Sequence, residues 1–128
     1  EVTLWGLHHH PVAANWQAEG VALLGDAAHP TLPFLAQGAN MALEDAWVLA
    51  DCLTRYPRDA ALTAYQSARI DRARRIVKTS EGNATRYHLR SGPIRFAAHT
   101  GLRIASTLAP GTMLRAFDWL YAHDVTKG

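Results

Sequence analysis

The stretch from Val21 to Ala46 limits what this chain can fold into more than any other part of it. It opens with Val21-Ala22-Leu23-Leu24, an apolar run of strand length and too short for a helix. Gly25-Asp26 ends the run and places a carboxylate at the strand's C-terminal end. Pro30 and Pro33 then hold the chain extended, because His29 and Leu32 before them are sterically pushed out of the helical region. Gly38 opens a new segment. From Asn40 onward Leu43, Ala46, Trp47, Ala50 and Leu53 recur at helical spacing. The order is strand, carboxylate, stiff apolar loop, glycine, helix N-terminus.

Each part suits a particular ligand chemistry. A carboxylate at a strand end accepts hydrogen bonds from the hydroxyls of a polyol. A helix N-terminus offers unpaired N–H groups and partial positive charge to an anion or an electron-rich carbonyl. Glycine at its entry lets a flat ring come close to the backbone, and the proline-stiffened loop supplies a dry wall. A ligand with a polyol arm and an electron-accepting flat ring uses all four features, and a flavin is such a ligand.

The run Gly25-Asp26-Ala27-Ala28-His29-Pro30, then Pro33, then Gln37-Gly38-Ala39-Asn40-Met41-Ala42-Leu43-Glu44-Asp45-Ala46, closely resembles the second FAD-binding motif of single-component flavin-dependent aromatic hydroxylases. The salicylate hydroxylase-like and hydroxybenzoate hydroxylase-like monooxygenases are the most similar in pattern. Ala61-Leu62 with Tyr65 and Arg69 resembles a further helical motif of that family, and Asp118-Trp119-Leu120-Tyr121 resembles its C-terminal end. Together these matches span most of the chain.

The resemblance implies a set of roles. Asp26 holds the ribityl hydroxyls of FAD, and Gly38, Ala39 and Asn40 present backbone N–H groups to the pyrimidine end of the ring. Pro33, the one catalytic candidate, lies at the isoalloxazine with its carbonyl lining the substrate cavity, and Gln37 reaches flavin or substrate. NADH or NADPH is the reductant. Oxygen transfer to a phenolic or aromatic acid runs through a flavin C4a-hydroperoxide, which Leu32, Pro33, Phe34 and Leu35 shield from water. His29 is expected buried and hydrogen-bonded rather than catalytic, and the base that deprotonates the phenol is not expected in this chain.

Other hallmarks of the family have no counterpart here. None of the nine glycines makes a Gly-x-Gly-x-x-Gly spacing, and no segment resembles the middle Asp-Gly motif or the large substrate-binding sheet. The 128 residues therefore read as the C-terminal lobe of such an enzyme, through truncation, proteolysis or gene splitting. The expected fold is a mostly helical α/β fragment, two short strands followed by four or so helices, that completes a Rossmann-like FAD-binding fold. Residues 1–58 carry the strand pair, the flavin-contacting motif and the first helix; residues 59–128 carry the C-terminal helices. The N-terminal FAD-binding portion of the same enzyme is the implied partner, alongside the aromatic substrate and a second copy in a homodimer.

The remaining residues bound the alternatives. Glu1–Leu7 alternates as a strand, and Asn15–Gly20 is turn-like. His8-His9-His10-Pro11 is not a metal site, because consecutive strand residues face opposite ways; no metal is expected. Glu44 and Asp45 fall near the first turn of the helix, where acids complement its dipole. That helix ends near Tyr56-Pro57. Asp59 caps a second helix running to about Asn83, with Leu62, Tyr65, Arg69, Ala73 and Ile76 on one face.

Arg72, Arg74, Arg75 and Lys78 read as a solvated face or as partners for absent sequence. With a net charge of only +2 and no interleaved aromatics, no nucleic acid is expected. The single cysteine, Cys52, reads as a buried inert thiol in a reducing cytoplasm. Ala27–Leu43 carries no Asp, Glu, Lys or Arg, but prolines and a glycine break it, so no membrane span is expected. Gly92-Pro93 interrupts the helical pattern, and two amphipathic segments follow, Ile94–Leu108 and Thr112–Ala122. The rival readings are a non-catalytic helical interaction module that keeps a flavoprotein motif, and a related flavin-dependent reductase, epoxidase or halogenase.

Overall fold

Glu19 and Gly20 reverse the chain. Both adopt positive φ, 47° and 83°, the pair of left-handed conformations that a tight two-residue hairpin turn requires. In the computed structural model, which describes residues 2, 3, 6, 10–87 and 92–127, this turn joins strand β1 (Gln17–Ala18) to strand β2 (Val21–Ala22). The strands pair antiparallel, Gln17 opposite Ala22 and Ala18 opposite Val21. One further bond, Leu23 N–H to Trp16 O at 2.7 Å, extends the ladder.

The hairpin departs from the sequence reading in two ways. Asn15–Gly20, read as a turn, contains β1, and the turn proper is only Glu19-Gly20. Of the strand expected over residues 1–7, positions 1, 4, 5 and 7 lie outside the described residues, and Val2, Thr3 and Gly6 carry no regular structure. β2 is also shorter than the apolar run, because among the described residues β1 alone pairs with it. Asp26 therefore sits on a separate 3-10 turn, Gly25–Ala27, and not at a strand end.

A second 3-10 turn, Pro33–Leu35, follows and leads into helix α1 (Gly38–Arg55). Tyr56 takes φ −129° and ψ 153°, the extended conformation imposed by Pro57. Helix α2 (Arg58–Tyr87) runs for 30 residues. It starts one residue before Asp59, which lies in the first turn and accepts from Arg58 Nε at 3.2 Å. Beyond it come α3 (Gly92–Leu108), α4 (Pro110–Arg115), α5 (Asp118–Tyr121) and a closing 3-10 turn. Gly92-Pro93 starts α3 rather than preceding it, as proline is tolerated in a first helical turn. The expected Thr112–Ala122 helix is divided at Ala116-Phe117.

The chain forms two compact units, Glu1–Ala84 and Thr85–Gly128, so the division falls inside α2. In the second unit α3 buries none of its side chains, Leu120 of α5 is buried, and the Phe117 and Tyr121 rings stand 6.3 Å apart. In the first unit the buried stripe of α2 is the predicted one: Leu62, Tyr65, Arg69, Ala73 and Ile76. α1 buries a different face from its apolar repeat. Its buried face carries Met41, Asp45 and Cys52, while Leu43 and Trp47 are 70% and 54% exposed. The apolar repeat is exposed, and the face that packs carries a carboxylate.

Trp16 is the centre of this unit. It is fully buried, its ring lies 5.2 Å from that of His29 and 5.7 Å from that of Tyr65, and its Nε1–H donates to Ala13 O at 2.9 Å. Its backbone N–H donates to Gln66 Oε1 of α2 at 2.8 Å. Trp16→Ala would empty the contact between hairpin, loop and α2. We expect it to lower the unfolding free energy by about 3–5 kcal/mol in urea titration; a loss below about 1 kcal/mol would remove Trp16 from that position.

Candidate functional site

Two kinds of polar group meet where the loop joins α1. Asp26 is exposed, and its carboxylate makes no hydrogen bond or ion pair with the described residues. Beside it, Gly38, Ala39 and Asn40 open α1 without intrahelical acceptors; the first helical bond is Met41 N–H to Gln37 O at 2.8 Å. Gln37, in the N-cap position, gives no side-chain cap. A Cβ on Gly38 would lie 3.8 Å from Asp26 Oδ1 and 3.7 Å from Thr31 Cγ2. An accepting carboxylate thus stands beside Gly38 at the start of α1, whose first three amides it does not satisfy.

The apolar wall is thinner than the sequence reading had it. Pro33 is exposed, Leu32 and Phe34 are half-buried, and Leu35 turns into the core. Gln37 is buried, and its Nε2–H donates to Leu35 O at 3.3 Å. Between them Ala36 adopts φ 51°, a left-handed conformation uncommon outside glycine. His29 is fully buried and hydrogen-bonded, as the sequence reading expected.

Beneath this surface lies a charge network. Asp45 Oδ2 accepts from Gly25 N–H at 3.0 Å and from His29 Nε2 at 2.5 Å, and Asp45 Oδ1 accepts from Arg69 Nε at 2.8 Å. Arg69 also meets Glu44 Oε2 at 2.7 Å through Nη1 and Met41 O at 3.5 Å through Nη2. Arg72 grips Glu44 with both nitrogens at 2.8 Å, the bidentate geometry of a strong pair. Two acids thus face two arginines.

Glu44 and Asp45 are therefore not first-turn dipole acids. α1 starts early enough to put them in its second turn, where they anchor α2. Arg72, read as solvated or paired to absent sequence, pairs within this chain. The sequence carried a signal for this: Arg69 lies on the apolar face of α2, and a buried arginine demands a buried acid. Ser80 Oγ donates to Leu32 O at 2.8 Å and Tyr65 OH to Leu23 O at 3.0 Å, so α2 also holds both ends of the loop. No sequence pattern pointed to either bond.

Burial pushes both carboxyls up, but hydrogen bonds and nearby cations outweigh it. Glu44 is held below the ordinary range by Arg72 and Arg69, and Asp45 by His29, Arg69 and the Gly25 amide. Burial raises the Tyr65 hydroxyl and the Cys52 thiol, so the cysteine is an unreactive core residue. Among the described residues no cluster of histidine, cysteine, aspartate or glutamate could hold a metal, and no helix is long and apolar enough to cross a membrane. His8 and His9 lie outside the described residues.

The chain matches the FAD binding domain family over residues 1–80, and it belongs to that family. It is 42% identical over 122 residues to 3-amino-4-hydroxybenzoate 2-monooxygenase PtmB3 of Streptomyces platensis, covering 94% of this chain and 29% of the relative. To 3-hydroxybenzoate 6-hydroxylase of Klebsiella oxytoca it is 34% identical over 123 residues, covering 91% of this chain and 29% of the relative. The crystal structure of FqzB aligns at a TM-score of 0.66 and 28% identity, over 94% of this chain and 27% of that one. The chain thus spans less than a third of the length of these proteins.

Because the folded carboxyls lie below their unfolded values of about 3.9 and 4.3, their contribution to stability is complete above those values. It is lost as pH falls through the folded ones. The urea midpoint should fall steeply below about pH 4. Arg69→Met, which leaves Asp45 buried without its cation, should cost about 3–5 kcal/mol at pH 7 and flatten that acid limb. An acid limb unchanged by the substitution would show that the network does not couple to folding.

Proposed function

We propose that this chain is the C-terminal portion of an FAD-dependent, NAD(P)H-consuming monooxygenase that hydroxylates a phenolic or aromatic acid. The observation that carries the reading is the adjacency of the unengaged Asp26 carboxylate and the unengaged amides of Gly38, Ala39 and Asn40. In a flavin the ribityl arm leaves the ring at N10, next to the N1–C2=O edge. A carboxylate that accepts from polyol hydroxyls is therefore needed beside donors that meet that edge. The α1 dipole favours the negative charge that the reduced ring gathers there.

FAD held by these residues, with NADH or NADPH as reductant, would supply the oxygenating chemistry. This chain supplies placement and dryness. Asp26 orients the polyol arm, and the α1 amides fix the ring edge. Pro33, exposed on its 3-10 turn, sets its ring toward the aromatic substrate while its carbonyl accepts from Ala36 N–H at 3.3 Å, with Leu32 and Phe34 excluding water beside it. Gln37 keeps its Nε2 on the loop and offers its amide oxygen to flavin or substrate. The adenine and pyrophosphate of FAD, and the base that activates the phenol, belong to the N-terminal portion of the same enzyme. A cytoplasmic homodimer fits the single buried cysteine and the apolar residues exposed on α1 and α3.

The relatives named for hydroxybenzoate oxygenation support the substrate class. A helical interaction module would account for the exposed Ile94, Phe96, Leu102, Ile104 and Leu108 of α3, but it gives Asp26 and the open amides nothing to do.

Asp26→Ala in the full-length protein should lower FAD affinity by about tenfold or more, with circular dichroism and melting unchanged, since Asp26 supports no contact in the fold. Full flavin occupancy after the substitution would count against the assignment. The isolated 128-residue chain should bind FAD weakly in spectrophotometric titration, and tight stoichiometric binding would mean that the adenine half is dispensable.

A further inference from the structure

Resting on the flavin reading above, we propose that Asp45 is a positioning residue for the cofactor. Its buried carboxylate fixes the Asp26 turn against the start of α1, and so sets the spacing between the polyol-binding acid and the ring-binding amides.

The geometry is as follows. Asp45 Oδ2 takes the N–H of Gly25, immediately before Asp26, and Nε2 of His29, three residues after it. One oxygen therefore holds the turn on both sides of the functional carboxylate. Asp45 belongs to the same helix as Gly38, Ala39 and Asn40, so the amides and the anchor move as one rigid body. The other oxygen, Oδ1, is held by Arg69, which stops the carboxylate from rotating away.

Gly25 makes the fit close. It adopts φ 59°, and a Cβ there would lie 3.1 Å from Ala42 Cβ on α1, so the turn sits against the helix with no room for a side chain. Asp26 itself makes no bond with the described residues. His29 Nδ1 is buried and has no partner among the described residues, so within them the one polar hold on its ring is Asp45. Remove the Asp45 carboxylate, and among the described residues nothing polar ties the Asp26 turn to the helix that carries the amides. Asp45 is fully buried and cannot touch the cofactor, so its effect must pass through Asp26.

That indirect route gives a specific signature. Lumiflavin has the ring of riboflavin without the polyol arm. A residue that acts through Asp26 changes the preference for riboflavin over lumiflavin, whereas a residue that only supports the fold weakens both alike. The full-length protein, stripped of flavin, is titrated with each by fluorescence quenching. The wild type should prefer riboflavin by about tenfold or more. Asp26→Ala and Asp45→Asn should each bring the preference close to one, with lumiflavin affinity changing by no more than about twofold. The double variant should lose no further preference, because both act on one interaction.

An Asp45→Asn protein that keeps the wild-type ratio, or that loses both ligands equally, overturns the inference while leaving Asp26 in its role. A wild type without the preference, or an Asp26→Ala protein that retains it, removes the flavin reading and this inference with it. If Asp45→Asn does not fold, His29→Leu and His29→Gln carry the same comparison. Leu releases one side of the turn and should lower the preference; Gln keeps an N–H within reach of Asp45 and should restore it. Equal preference in both would overturn the inference.

Discussion

A carboxylate buried completely, as Asp45 is, has to be matched by donors or it destabilises the fold that contains it. Here the donors come from three separate segments: the Gly25 amide, the His29 ring and the Arg69 guanidinium. Each segment could pack against apolar surface in many ways, because the hydrophobic effect has no direction. The hydrogen bonds to one carboxylate leave a single arrangement. Loop, α1 and α2 are then located relative to one another by an interaction whose partial loss leaves an unpaired buried charge.

The loop between β2 and α1 cannot locate itself. It has little regular structure, and its prolines remove donors, so its carbonyl groups need partners from elsewhere. α2 supplies them along its length. Tyr65 donates to Leu23 O and Ser80 to Leu32 O, while Gln66 holds Ala14 O ahead of β1. With Arg69 between them on the same stripe, the helix works as a rail onto which hairpin and loop are fixed. The polar groups that remain without partners are then informative. Asp26 and the first amides of α1 are among them.

Much of this was legible before any coordinates. The position of Asp26 ahead of a proline-stiffened loop and a glycine-led helix came from residue type and order, and the buried face of α2 came from its 3.6-residue period. The face of α1 did not. Leu43, Trp47 and Leu53 make a better apolar stripe than Met41, Asp45 and Cys52, so periodicity favoured the stripe that is exposed. What buries the second stripe is a pairing with Arg69, 24 residues away, and no local pattern encodes a partner at that distance. β1 was missed for a similar reason. A two-residue strand has no period of its own, and only the positive φ values at Glu19 and Gly20 create it.

The segment from Ala36 to Asn40 combines two unfavourable features. Ala36 holds a left-handed backbone, and α1 begins without the side-chain cap that a serine, threonine or aspartate would provide at Gln37; lacking such a cap costs about 0.5–2 kcal/mol. Elsewhere the unit satisfies its buried polar atoms almost completely, His29 Nδ1 being the exception among the described residues. A fold that pairs its buried charges this thoroughly, yet leaves the start of α1 bare beside an unpaired acid, has those groups free for something outside itself. Strain and unmet hydrogen bonding tend to persist where a ligand relieves them. An acceptor edge laid on the amides of Gly38, Ala39 and Asn40, with hydroxyls laid on Asp26, would relieve both at once.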